Sequence, residues 1–293
     1  MHWSGWDFPT RRAMRTLACV MAVMAVMTAT AAHAAEADGA TDPVASHHEW
    51  RFGTEPVWQD EFDRDGAPDP AKWGYDIGGK GWGNNELQYY TDREANAFVA
   101  DGLLTIVARS QKVGKNGYTS ARMVSRGKGD FLYGRIEFRA RLPVGRGTWG
   151  ALWMLPTESR YGGWPRSGEI DIMEHVGHDP GQVHVTVHTQ AYNHKIKTQR
   201  GEQVHVDNHA TQFHLYRVDW TPDWIRGYID DAPVFEFANE GTGPDAWPFD
   251  QPFHLLMNLA VGGDWGGAQG VDAAAFPAWM EVDYVRVYPL LDP

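Results

Sequence analysis

Cysteine is almost absent from this 293-residue chain, the one example being Cys19. A disulfide-stapled fold is thereby excluded, and because Cys19 falls within the N-terminal leader, no thiol chemistry is expected of the mature chain. Long apolar runs are scarce as well. Leu17 to Met27 is too short for a membrane span, which needs ~18–20 residues. It follows Arg11, Arg12 and Arg15 and precedes Ala32-His33-Ala34, a small-residue cleavage pattern. Residues 1–34 therefore read as a secretory signal peptide, and an extracellular or periplasmic location is expected. Thr10-Arg11-Arg12 also resembles a twin-arginine export signal. Thr16-Leu17-Ala18-Cys19 is a poor lipobox, with leucine one place late, so no membrane attachment of the mature form is expected. Basic residues are the third deficit, 26 against 38 acidic. Removing residues 1–34 takes away three arginines and Asp7, leaving 23 against 37 and a net charge of −14. Such a surface repels polyanions, which argues against nucleic acid as a partner and, more weakly, against sulfated polysaccharides.

Sustained 3.6-residue periodicity is also missing. Residues 35–49 form a short polar linker, and 50–293 read as one domain. Short strands separated by Gly, Pro and Asn are predicted at 86–91, 96–100, 103–109, 119–126, 133–142, 149–155, 168–175, 182–189, 213–220, 224–229, 253–261 and 280–288. Arg135 to Leu142 alternates as a strand with one wet face should. The pattern specifies an all-β sandwich or barrel.

Against this background Gly168-Glu169-Ile170-Asp171-Ile172-Met173-Glu174 stands out, because acids are rarely spent on a strand that reads as buried. Alternation puts Glu169 and Asp171 on one face and Glu174 on the other. One extra residue near Ile172-Met173, a β-bulge, would bring Glu174 round to join them. The outer two Cα atoms would then stand roughly 13 Å apart, and inward-leaning side chains would narrow the carboxyl gap to ~5–6 Å. That gap suits a retaining glycosidase, in which one carboxylate attacks the anomeric carbon while a protonated carboxyl serves the leaving oxygen. Two other readings compete. Alternating acids also occur on exposed edge strands. Carboxylates beside His175, His178, His184 and His188 are also metal-ligand chemistry, although no H-E-x-x-H spacing is present.

G-E-I-D-I-M-E resembles the active-site signature of glycoside hydrolase family 16, in the bulged E-x-D-x-x-E form of its laminarinases, agarases and carrageenases. The likeness extends through Trp58-Gln59-Asp60-Glu61-Phe62, Asn84 to Thr91, Phe131 to Arg135, Ala151 to Pro156, Asn258 to Gly263 and Asp283 to Tyr288, roughly residues 50–289. It is greatest to the bacterial endo-β-1,3-glucanases. The resemblance implies a two-sheet β-jelly-roll sandwich with a concave substrate cleft. It also implies Glu169 as nucleophile, Asp171 as assisting carboxylate and Glu174 as acid/base, with no cofactor for catalysis. The expected substrate is a β-glucan such as laminarin, cut internally by a monomer. A galactan-cleaving enzyme (agarose or carrageenan), a transglycosylase and a non-catalytic glucan-binding protein remain as alternatives.

Twelve tryptophans survive removal of the leader, more than a core of this size needs, and sugar C–H faces stack on such rings. Trp164 and the glycine-flanked Trp265 serve either packing or, as the resemblance favours, sugar subsites. Trp153 belongs to core or cleft, and Trp58, Trp220 and Trp224 to the core. Asn85 and Glu86 have either sugar hydroxyls or turn chemistry as their task. Asn258 is expected to reach ligand from the far side, and His188 to lie near Glu174 as a buried or pH-tuning group. The resemblance finally implies a structural calcium on the convex side, held by Glu61, a backbone carbonyl near Gly102, and Asp283.

Overall fold

A computed structural model of the protein describes residues 49–291; the leader and most of the linker lie outside this range. Two eight-stranded antiparallel sheets make a β-jelly-roll sandwich. The cleft-bearing sheet runs, edge to edge, Arg200–His205, Gln182–His188, Glu169–Val176, Thr148–Pro156, Phe253–Val261, Arg122–Val124 and Gly74–Tyr75, with Asp130–Phe131 pairing onto Phe253–Val261. The outer sheet runs Ala232–Ala238, Trp224–Ile229, His214–Trp220, Gly134–Arg141, Ala278–Tyr288, Leu103–Ala108 and Ala97–Ala100, with Trp58–Asp60 pairing onto Ala278–Tyr288. Among the described residues helix is confined to two 3₁₀ turns, and no helix is long and apolar enough to cross a membrane.

Period-2 patterning generates the core. Along Gly134–Arg141, Ile136, Phe138 and Ala140 are fully buried while Arg135, Arg139 and Arg141 face outward. From the opposing sheet come Leu152, Met154, Ile170, Ile172, Leu255 and Met257. Burying each such side chain contributes ~1.5–3 kcal/mol relative to exposure.

The predicted strands form, with one split: 119–126 becomes Tyr118–Ser120, in a small parallel pair with Gln88–Tyr90, and Arg122–Val124 in the cleft sheet. Seven strands lie outside the predicted set: the short Arg51–Phe52, Trp58–Asp60, Gly74–Tyr75, Asp130–Phe131 and Leu290–Leu291, and the longer Arg200–His205 and Ala232–Ala238, which close the two sheets at one side. Edge position explains why Arg200–His205 escapes pattern reading, since five of its six residues are exposed. Trp220 is buried and Trp58 packs on the core, but Trp224 is only half-buried on the outer sheet, with the Arg226 guanidinium 3.9 Å from its ring centroid.

The bulge falls where parity requires it. Trp153 pairs with Asp171 and Leu152 with Met173, which leaves Ile172 as the extra residue. On the other side Asp171 pairs with Thr186 and Glu174 with His184, so three steps oppose two. Ile172 and Met173 both turn into the core. Gly168 opens this strand at φ +87°, and a Cβ there would meet Pro248 Cγ at 2.9 Å, so glycine is required.

Deleting Ile172 leaves regular E-x-D-x-E alternation with all three acids still facing the cleft. The variant is expected to fold and to lose ~2–4 kcal/mol for the missing buried side chain. Urea denaturation reads this, and a chain that no longer folds would contradict the parity account.

Candidate active site

Three neighbouring strands build one cavity of about 450 Å³. Thr148–Pro156 supplies Trp149, Ala151, Trp153 and Leu155 by alternation. Phe253–Val261 supplies Asn258 and Ala260, and Glu169–Val176 supplies all three carboxylates. Each outer acid is held by an indole. Trp164 Nε1 donates to Glu169 Oε2 at 2.9 Å, and Trp149 Nε1 donates to Glu174 Oε1 at 3.1 Å. Asp171 is 2 % exposed, and its Oδ2 accepts no hydrogen bond.

Burial dominates the electrostatics. It pushes Glu169 up to about 8, helped by the negative field of Glu174 and opposed by the Trp164 N–H and by Arg122. It pushes Glu174 up to about 7 against the Trp149 N–H. Asp171 is driven well above the ordinary carboxyl value by burial and by both glutamates. Burial thus holds both glutamates above the ordinary carboxyl range, and the charge of Glu174 further opposes ionisation of Glu169.

His188 lies opposite Glu169 in the register, not beside Glu174 as expected; the residue opposite Glu174 is His184. His188 Nε2 is 3.4 Å from Asp171 Oδ2 and 3.8 Å from Glu169 Oε1. At those distances an imidazolium would count as an ion pair. Burial instead lowers His188 to about 4, so near neutrality the contact is made by a neutral ring. His175 sits on the far face of the same strand, its ring against His209 and its Nε2 accepting from the Gly181 N–H.

The wall opposite the carboxylates is a hydrogen-bonded relay. Trp153 Nε1 donates to Asn258 Oδ1 (2.7 Å), and Asn258 Nδ2 donates to Tyr90 Oη (3.1 Å). Tyr90 Oη donates in turn to Glu86 Oε2 (3.4 Å). Asn258 thus lines the cavity as expected, and of the open alternatives Trp153 and Glu86 take the cavity side. Asn85 does not: it is exposed at φ +57° and donates to Asp264, so its task is the turn, and its neighbour Asn84 reaches the cavity. Trp265 stands one layer out, its ring 5.4 Å from Trp149 and 4.8 Å from His184, and supports Trp149 rather than lining the cavity.

Pattern reading missed Trp82, Trp149, Arg122, His194 and Lys195, all cavity-lining. The Arg122 guanidinium lies between the Trp82 and Trp153 rings, 4.9 and 4.7 Å from their centroids, while its Nε donates to Asp76. His194 and Lys195, on the turn after Gln182–His188, both cover Trp164. Signals existed for two of these. Trp149 continues the Ala151, Trp153 alternation by one step, and Trp82 sits between glycines as Trp265 does.

The two carboxylates of the expected calcium set are both engaged by arginines. Glu61 is gripped by the Arg286 Nε and Nη2 at 2.7 Å each, and Asp283 is paired with Arg139. Both carboxylates therefore belong to the outer sheet's arginine ladder, and Gly102 occupies a tight turn at φ +76°.

A β-sandwich whose cleft floor carries carboxylates between indole donors defines a glycan-cleaving class of enzyme. The model of glycosyl hydrolases family 16 matches residues 82–286, and the chain belongs to that family. It is 60 % identical over 240 residues to a beta-glucanase of Rhodothermus marinus, covering 79 % of this chain and 84 % of that one. It is 39 % identical to glucan endo-1,3-beta-glucosidase A1 of Niallia circulans, over 85 % of this chain but only 39 % of that longer protein. Among solved structures, the laminarinase of Rhodothermus marinus superposes with a TM-score of 0.81 at 56 % identity, covering 84 % of this chain and all of that one.

The raised carboxyls carry a stability cost with a definite sign. Below pH 4 Glu169 is protonated both folded and unfolded. Between its ordinary value and about 8 the unfolded chain ionises first, so stability is lost as pH rises. Glu169→Gln removes that cost. The variant is expected to match wild type near pH 4 and to exceed it by about 2 kcal/mol near pH 9, read by urea titration at both pH values.

Proposed function

We propose that this protein is a retaining endo-β-1,3-glucanase acting on laminarin-type glucans. The observation that carries the reading is the bulged strand, which sets Glu169, Asp171 and Glu174 along one wall of a tryptophan-lined cavity. In the first step Glu169 Oε1, free of the Trp164 bond, attacks the anomeric carbon from one face of the sugar. Glu174 gives its proton to the departing glycosidic oxygen as the C–O bond breaks. In the second step Glu174, now a carboxylate, takes a proton from water. That water attacks the same carbon and returns Glu169 as a carboxylate. Two inversions leave the β configuration.

Asp171, pushed well above the usual range by burial and by both glutamates, stands between them as the assisting carboxyl. The Trp153, Asn258, Tyr90, Glu86 relay pre-orients polar groups toward sugar hydroxyls, and the indole faces offer stacking surfaces. No catalytic cofactor enters these steps. The leader reading supports export from the cytoplasm, and the acidic mature surface supports a neutral glycan over nucleic acid as partner. A monomer suffices, since every group invoked comes from one chain.

The test is NMR of a laminarin digest from its first moments. The β-anomer of short oligosaccharides is expected before mutarotation, with slower release from mixed-linkage glucan and none from carrageenan. An α-anomer first would overturn the mechanism, and faster cutting of carrageenan or agarose the substrate. A second test concerns Trp149, whose N–H favours anionic Glu174. Trp149→Phe is expected to raise the Glu174 pKa further, moving the alkaline limb of kcat/KM to higher pH. An unmoved limb would remove Glu174 from the acid role.

A further inference from the structure

The cavity contains a constellation that hydrolysis does not explain. Glu169, Asp171 and His188 each offer one ligand atom, all within 4.8 Å of one another. The three are oriented rather than merely close. Trp164 occupies Glu169 Oε2 and so presents Oε1 toward the imidazole. The His188 ring is held by two neighbours, His194 at 5.1 Å in a T-shaped contact and Trp164 at 5.9 Å. Asp171 Oδ2 is the independent sign. It is a buried carboxylate oxygen on a 2 % exposed residue, aimed at His188 Nε2, with no hydrogen-bond partner. A buried acceptor without a donor costs free energy, and a cation relieves it.

We propose that Glu169 Oε1, Asp171 Oδ2 and His188 Nε2 form a binding site for a zinc-class divalent cation, which acts as a reversible inhibitor seated on the nucleophile. The two imidazole contacts are close to what the ion requires, and the carboxylate oxygens, within 4.8 Å of one another, close onto it by side-chain rotation. A tetrahedral centre with donors at ~2.0–2.1 Å sets neighbouring donors ~3.3–3.4 Å apart. Here the two contacts of the imidazole nitrogen are 3.4 and 3.8 Å. Two oxygens and one imidazole nitrogen suit zinc, cobalt or copper, whereas calcium takes six to eight oxygens. The fourth position opens to the cavity, where water or a sugar hydroxyl completes the shell.

Affinity is limited by what stands behind the ligands. His188 Nδ1 is buried without a partner, so the carboxylate or carbonyl that usually orients a metal-bound imidazole is missing. The site is therefore a weak, exchangeable one, unlike a structural zinc centre. Glu174 is not among the ligands. Inhibition thus rests on the assignment of Glu169 as nucleophile, since the ion takes the oxygen that would attack, and it is competitive with glucan.

Binding is read without turnover, using Co²⁺ as the probe on the mature protein freed of chelator. Wild type is expected to give a saturable one-to-one visible band of tetrahedral intensity, bleached by added Zn²⁺. His188→Gln and Asp171→Asn should each weaken it about tenfold or more, with far-UV circular dichroism confirming the fold; if His188→Gln does not fold, the near-isosteric Asp171→Asn decides. His205→Asn, at the exposed His205–Asp207 pair, should leave the band unchanged. No band, a band that survives both cavity substitutions, or one lost with His205 would overturn the site. A protein that binds cobalt here yet leaves laminarin intact when freed of metal would instead overturn the hydrolase reading, so the two failures are distinguishable.

Discussion

One extra residue governs this structure. A strand alternates its side chains strictly, so acids three and five positions from a partner cannot share its face unless the count is broken. Ile172 breaks it. Its side chain and that of Met173 both enter the core, while Asp171 and Glu174 on either side turn to the cleft. The same local irregularity thus serves packing on one face and chemistry on the other. Because the strand is third from one edge of its sheet, paired on both sides, both neighbours must accept the shift in register.

What was legible in the sequence follows from where its information is local. Alternation is local, and it located the long central strands of both sheets, the buried Ile136, Phe138 and Ala140, and the bulge itself. Edge strands carry little alternation, so Arg200–His205 left no trace. Residue type alone misplaced Trp224, whose ring is covered by Arg226 rather than by core. Asn85 and Asn84 differ by one position, and only the left-handed backbone at Asn85 decides which of them reaches the cavity. Long-range pairing was invisible. The arginines that occupy Glu61 and Asp283 lie 225 and 144 residues away, brought into contact through strand register. His188 was found as a candidate, but its placement beside Glu169 and Asp171 also depends on register, across the bulge.

The distribution of arginine completes the electrostatic design. On the outer sheet nearly every outward acid has a guanidinium: Asp219 with Arg135, Asp283 with Arg139, Glu281 with Arg141, Glu61 with Arg286, and Glu236 with Arg226. Apart from the pair at buried Asp219, these partly exposed pairs are worth little each, ~0–1 kcal/mol, but they neutralise that surface. In the cleft the nearest guanidinium, Arg122, is committed to Asp76 and clasped between two indoles. The three carboxylates are left with neutral partners only: two indole N–H groups and an uncharged imidazole. A salt bridge to any of them would have lowered its proton affinity and fixed it as a permanent anion. Neutral donors orient each carboxylate without removing its capacity to hold a proton, which an acid/base residue must retain. The unneutralised acids account for both the cleft's cost in stability at high pH and its readiness to exchange protons near neutrality, so the property that weakens the fold is the one that the chemistry uses.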